Sequence, residues 1–291
     1  MCSRHGRRSC VSSLQESESG LAPRTGATTA IRSPNQKMSL RRFVDIVTFK
    51  SYADLRAERE RTYLGFMWWV FEPLMFMVVL WVVFAKVLGR ATEDFLPFIL
   101  VGLVMWQWIK SCISHGSNAI LEAHQLILQV RLPPVVFPLV TILSDTVKFA
   151  IVLGILIAIL LVLGYGRSPA LLALPLVLIA ELAFLAAVTL WLAAFVPFVP
   201  DLRFVAENVL VAMMFLSGIF YDATTLAPAI QEVFFLNPSA FLIKEAREVL
   251  LYSRWPDFVG LIEVTVVCTL LAVAAAALIQ RLHRYYPKLP R

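Results

Sequence analysis

Apolar residues gather along this chain into long runs broken by short polar stretches, at about residues 66–88, 95–113, 135–163, 170–195, 204–220 and 258–279. Each run is near or above the roughly 17–25 residues that an α-helix needs to cross a lipid hydrocarbon core. The pattern predicts an all-α membrane protein with about six transmembrane helices. Ahead of the first run, Leu40, Phe43, Val44, Val47 and Leu55 recur at helical spacing, with Arg41, Arg42, Lys50, Arg56 and Arg59 on other faces. This predicts an N-terminal amphipathic helix lying in the membrane interface, its basic residues near lipid head groups.

Two stretches break the pattern. Residues 114–134 hold Asn118, Glu122, His124, Gln125, Gln129, Arg131 and the pair Pro133-Pro134, and read as a polar excursion from the membrane. Residues 221–257 contain two helical-looking segments, 230–235 and 240–251, too short to span. Short re-entrant helices before the last span are expected there, since such backbone is tolerated where protein buries it or a cavity lies alongside. The remaining reading is a plain external loop.

Composition supports a membrane solvent: 59% of residues are hydrophobic and 16% charged, against about 45–50% and about 25% in soluble domains. The net charge of +6 comes from Lys and Arg concentrated near the termini beside apolar runs, which fits membrane orientation and not nucleic-acid binding. Both termini are expected to be cytoplasmic. Residues 114–134 and 196–203 fall on the same side and 221–257 on the outside. Residues 1–37, rich in Ser, Arg, Gly and Thr, form an expected disordered tail, with Met38 an alternative start and residues 38–291 the membrane domain. Cys2, Cys10, Cys112 and Cys268 lack metal-ligand spacing. No metal or cofactor is expected.

Chemistry within the runs is sparse. Ionised groups inside a span cost roughly 2.5–3.5 kcal/mol on insertion scales, so Glu72, Asp145, Lys148 and Glu181 each require a partner or a watery cavity. Asp145 and Lys148 stand three apart on one helix face and can neutralise each other. Glu72 and Glu181 have no local partner, and face either a pore or another helix. Aromatics form a second pattern: Trp68, Trp69, Phe71, Trp81 and Phe84 in the first run, and Phe215, Phe220 and Tyr221 at the end of the fifth. They read either as interfacial anchors or as flat surfaces for sugar rings moving through a channel. No nucleophile elbow, metalloprotease helix or phosphate-binding loop occurs. A chain that spans the membrane many times without an engine is driven by a partner or an ion gradient, or is an intramembrane enzyme.

The segment Arg61-Thr-Tyr-Leu-Gly-Phe-Met-Trp-Trp-Val-Phe-Glu-Pro-Leu74 resembles the entry to the first span of ABC-2 type permeases, especially those that export O-antigen, capsule and teichoic-acid polysaccharides. Three further stretches resemble that family in the same order. They are Ile127-Leu-Gln-Val-Arg-Leu-Pro-Pro-Val-Val-Phe-Pro138, Phe215-Leu-Ser-Gly-Ile-Phe-Tyr221 and Asn237-Pro-Ser-Ala-Phe-Leu-Ile-Lys-Glu-Ala-Arg247. Gly218 stands where some relatives carry Pro, and Lys244 where an acidic residue is common.

The resemblance implies a half-transporter in the bacterial inner membrane: a homodimer of permease subunits around a central path, energised by a separate ATPase dimer. It implies that Glu122, His124, Gln125 and Arg131 dock that ATPase, with Arg56, Glu58, Glu60 and Arg61 contributing. The implied cargo is a glycan on a lipid diphosphate, for which Arg41, Arg42, Arg59 and Arg61 are the candidate entrance residues; setting membrane orientation is the other reading of these arginines. Trp68, Trp69, Phe71, Phe215, Phe220 and Tyr221 are the candidate channel aromatics. The alternatives are an ABC-2 exporter of a small drug or lipid-like molecule, an ion-coupled transporter using Glu72, Asp145 or Glu181, and a membrane-bound transferase.

Overall fold

The computed structural model describes residues 40–61, 67, 71, 74–75, 78–79, 82–83, 95–129, 132–283 and 285–286. The expected disordered tail, Trp68, Trp69, Glu72 and Arg131 lie outside the described residues, and Arg59 and Arg61 are placed only as helical backbone. Among the described residues, every regular element is helical. In chain order they are α1 (Leu40–Arg61), α2 (Phe95–Glu122), α3 (His124–Gln129), α4 (Val136–Val162), α5 (Leu174–Phe195), α6 (Leu202–Phe215), α7 (Pro228–Phe234), α8 (Pro238–Leu250) and α9 (Phe258–Leu282). A 3-10 turn, Pro169–Ala173, leads directly into α5.

Four of these stretches are long and apolar enough to cross a membrane: Phe95–Glu122, Val136–Val162, Pro169–Phe195 and Phe258–Leu282. Their bounds follow the apolar runs, with one difference. The second run does not end at Ile113, because α2 continues unbroken to Glu122 and only Ala123 separates it from α3. Ser114 through Glu122 keep a helical repeat of apolar positions, with Ala119 and Ile120 buried, and no proline interrupts them. The polar excursion therefore starts later than its composition suggests. The expected first span falls largely outside the described residues. The expected fifth is α6, 14 residues long, about 21 Å at 1.5 Å per residue, which alone falls short of a hydrocarbon core of about 30 Å.

Packing centres on α2, which is buried from Pro97 nearly to its end. Helix α4 lies on one side, where Trp108 stacks on Phe149 with ring centroids 4.1 Å apart. On another side is α5, whose Thr189 hydroxyl donates to the Cys112 carbonyl at 3.3 Å. Along α9 only Leu261, Cys268, Ala275 and Ile279 are buried, a seam one side chain wide that lies on one helical face. The rest of α9 exposes Val259, Ile262, Val266, Leu270 and Val273. Such a surface is stable where lipid is the solvent. Beyond α9, Tyr286 is buried against α5 and donates to the Ala194 carbonyl at 3.3 Å; burial pushes its phenol up to about 12.

Helix α1 is amphipathic as expected, yet its apolar face is divided. Phe43, Ile46 and Val47 pack on Val136, Leu139, Val140 and Leu143 of α4, while Val44, Phe49 and Tyr52 stay exposed. Ser51 and Ser144 share a buried hydrogen bond of 2.7 Å. Part of the face assigned to lipid is thus taken by protein.

Candidate transport path and docking face

At one end of the bundle, α1, the last turn of α2, α3 and the start of α4 surround a groove of about 290 Å³. Lys50 and Asp54 line it from α1, Ala119 and Glu122 from α2, Leu126 from α3, and Phe137, Val140 and Thr141 from α4. Glu122 and Gln125 are exposed and His124 is half-buried. Arg41 and Arg42 are exposed on α1. Lys50 pairs with Asp54 at 3.0 Å and Arg56 with Glu60 at 3.1 Å, both one helical turn apart on the α1 surface. This end presents charged, solvated helix surfaces around a concave floor.

A charge network lies deeper in the bundle. Lys148 Nζ is 3.2 Å from Asp145 Oδ1 on the same helix and 2.6 Å from Glu58 Oε2 on α1. The other Asp145 oxygen meets His115 Nδ1 of α2 at 2.9 Å. Adjacent to His115, the Ser114 hydroxyl donates to Glu207 of α6. The contacts run α1 to α4 to α2 to α6 without a gap. Helices α2 and α4 contain 28 and 27 residues, about 42 and 40 Å, so each outruns a hydrocarbon core of about 30 Å. The polar α1 packs along the first half of α4 and brings Glu58 to Lys148 near the middle of that helix. Glu181 is different: it is fully buried in α5, and neither carboxyl oxygen has a hydrogen-bond partner among the described residues.

Helix α6 buries only Leu210. Phe204, Val205, Val209, Val211, Phe215 and Leu216 are exposed, so the described residues leave most of its circumference uncovered. In the first apolar run, Met67, Phe71, Met75, Val78 and Val79 are likewise exposed on helical backbone, while Leu74 touches the core. Phe215 and Phe220 have ring centroids 5.4 Å apart, and the Tyr221 hydroxyl donates to the Phe215 carbonyl at 3.1 Å.

The opposite end is organised by Arg247 of α8. Its guanidinium donates to the carbonyls of Phe98 at 3.2 Å, Gly218 at 2.7 Å and Ile219 at 3.1 Å, and lies 3.5 Å from the centroid of the Phe98 ring. Burial lowers this group to about 9, so it remains a cation at neutral pH, held by three carbonyl dipoles and a ring face. Gly102 on α2 makes room, because a Cβ there would collide with the guanidinium. Gly218 turns the chain after α6 with φ +66°, a conformation that L side chains rarely adopt. The Ser217 and Ser239 hydroxyls, 2.7 Å apart, and Asn237 Nδ2 donating to the Leu216 carbonyl at 3.2 Å join that turn to the start of α8. Asp257 caps α9 through the Val259 and Gly260 amides, and its own amide donates to buried Glu245 at 2.8 Å.

Residues 55–251 match the ABC-2 type transporter family, more than half of the chain. The chain belongs to the ABC-2 transporter family. It is 27% identical over 231 residues to the O-antigen export system permease protein RfbA of Myxococcus xanthus, covering 78% of this chain and 88% of that one. It is 24% identical over 220 residues to a protein of the same description from Klebsiella pneumoniae, covering 74% and 84%. An ABC-2 chain with these helices is a multi-pass membrane transporter and not an enzyme.

Within this ABC-2 protein, the structure brings Asp145 and Lys148 together and adds Glu58 and His115 to them. It gathers Glu122, His124 and Gln125 around one elbow, and Phe215, Phe220 and Tyr221 around one corner. It does not bring Arg41 or Arg42 to that corner, since both lie on α1. Arg247 entered the sequence reading only as the end of a motif. The missed signal was its register: Ile243, Ala246, Arg247 and Leu250 share one helical face, and an arginine on an apolar stripe implies buried acceptors.

Proposed function

We propose that this chain is the permease half of an ATP-driven exporter that moves a lipid-linked polysaccharide of the O-antigen or capsule type outward across the bacterial inner membrane. Two copies line the path and a separate ATPase dimer supplies the energy. The observation that carries this reading is the match to permeases named for O-antigen export, which extends over most of both chains. The exposed apolar face of α6 and the exposed Met67, Phe71, Met75, Val78 and Val79 agree with it, because a second copy provides the surface they leave uncovered.

The groove framed by Glu122, His124, Gln125 and α1 is the docking face for the ATPase, completed by Arg131, and it lies on the cytoplasmic side with both termini. Closure of the ATPase pushes on α3 and α1. The network from Glu58 through Lys148, Asp145 and His115 then carries that displacement into α2, and the Ser114–Glu207 contact carries it into α6. The cationic surface formed by Arg41, Arg42, Arg59 and Arg61 attracts the diphosphate of the lipid carrier to the entrance. Phe71, Phe215, Phe220 and Tyr221, with Trp68 and Trp69, offer ring faces to the passing glycan. Helices α7 and α8 close the outer mouth as half-inserted segments, and residues 38–291 make up the transport domain.

Deleting the gene for this chain tests the reading: surface glycan disappears and lipid-linked polymer accumulates inside. Normal display with no trapped polymer would overturn it and direct attention to efflux of small molecules.

A further inference from the structure

At the end of the bundle held by Arg247 lies a cleft of about 290 Å³, between the turn that ends α6, helices α7 and α8, and the loop after α8. Its walls differ in character. Phe234 at the end of α7, Phe235 just after it and Tyr252 beyond α8 present ring surfaces, and Phe235 stands edge-on to Phe234 with centroids 5.5 Å apart. Lys244 lies over one face of Phe235, 5.1 Å from its centroid, and Arg254 over one face of Tyr252 at 6.0 Å, which leaves the other face of each ring to a ligand. Asp222, Lys244, Glu248 and Arg254 supply acceptors and donors around them. Arg247 also reaches the cleft, but its guanidinium is committed to three carbonyls and the Phe98 ring. With Arg247 the lining carries three cations and two carboxylates, and buried Glu245, 3.1 Å from Lys244, brings the local sum to zero.

We propose that this cleft is a saccharide subsite that takes one uncharged sugar ring of the exported glycan. The proposal rests on the export reading and adds to it a place and a ligand class. A pyranose has an apolar face, which packs on an aromatic ring, and a rim of hydroxyls, which both donate and accept. The lining offers both kinds of partner within a volume close to the lower end for small-ligand pockets, roughly 300 Å³. Charge balance separates a neutral ring from the lipid diphosphate, which needs an excess of donors and cations. The cleft is rigid on its inner side, where Arg247, Gly218 and the Ser217–Ser239 hydrogen bond fix the turn after α6. It therefore stands ready beside the end of the helix that leaves most of its apolar surface exposed, and a ring bound there holds the emerging polymer at the mouth.

The test uses the full chain in lipid nanodiscs and, as probe, the polysaccharide of the source strain released from its lipid by mild acid, with binding followed by saturation-transfer NMR. Phe235→Ala removes a ring face, and Asp222→Asn removes a charge with little change in volume, so folded protein is available from the second if the first does not assemble. Each variant is expected to weaken binding roughly tenfold, and inorganic diphosphate is expected not to compete. In the deletion strain complemented with either variant, surface glycan falls while the amount of chain in the membrane is unchanged. Unchanged binding in both variants, or displacement of the polysaccharide by inorganic diphosphate, overturns the subsite. If export depends on this chain yet both variants export normally, the subsite fails and the export reading stands; normal display in the deletion strain removes both.

Discussion

Arg247 shows how much one side chain contributes here. It joins α8 to the start of α2 and to the turn after α6 through three carbonyls, and is itself buried. An unsatisfied buried acceptor costs about 1–3 kcal/mol, so Arg247→Ala is expected to destabilise the protein by about 3 kcal/mol or more, read as thermal unfolding in detergent. Arg247→Lys recovers only part of this, because a single ammonium cannot match a planar fork aimed at three acceptors. Wild-type stability in the lysine variant would contradict the assignment. At this scale the sequence was informative where partners are close along the chain. Asp145 and Lys148 were legible from a spacing of three. Glu58 and His115 were not, because their link to that pair is made by tertiary packing, and no local pattern announces it. Glu181 was legible as a group without a local partner, and the fold gives it no hydrogen-bond partner among the described residues.

Between elements, the join of α1 to α4 separates a structural helix from a free interfacial one. Asp145 is 2% exposed at its side chain and Glu58 is 45% exposed, while Lys148 bridges them. Lys148→Met leaves a buried carboxylate with only His115 and is expected to cost more than Glu58→Gln, whose effect is screened by solvent. The double variant is expected to cost less than the sum of the two, by about 1 kcal/mol. A double-mutant cycle on thermal stability decides this, and strict additivity would mean that the two groups do not interact. The helices themselves were legible because long apolar runs leave little choice. Boundaries were less so: Ser114 to Glu122 looked polar enough to leave the membrane, yet no proline occurs there, and the single Gly116 does not stop a helix that has already started. The apolar face of α1 was legible as a face, but whether lipid or α4 covers it depends on where α4 ends.

For the whole molecule, many spans without a phosphate-binding loop left three readings open in the sequence, a partner engine, an ion gradient or an intramembrane enzyme. The family match confirms the class of machine, while the docking face and the path between two copies rest on surfaces left open in one chain: the elbow around Glu122 and the bare face of α6. Proteoliposomes containing this chain, with and without its ATPase subunit, test the dependence on a partner engine most directly by following the appearance of lipid-linked glycan on the far side. The account predicts movement that requires both chains and ATP and persists when the proton gradient is collapsed. Movement by this chain alone, driven by a proton gradient with no ATPase present, would contradict it.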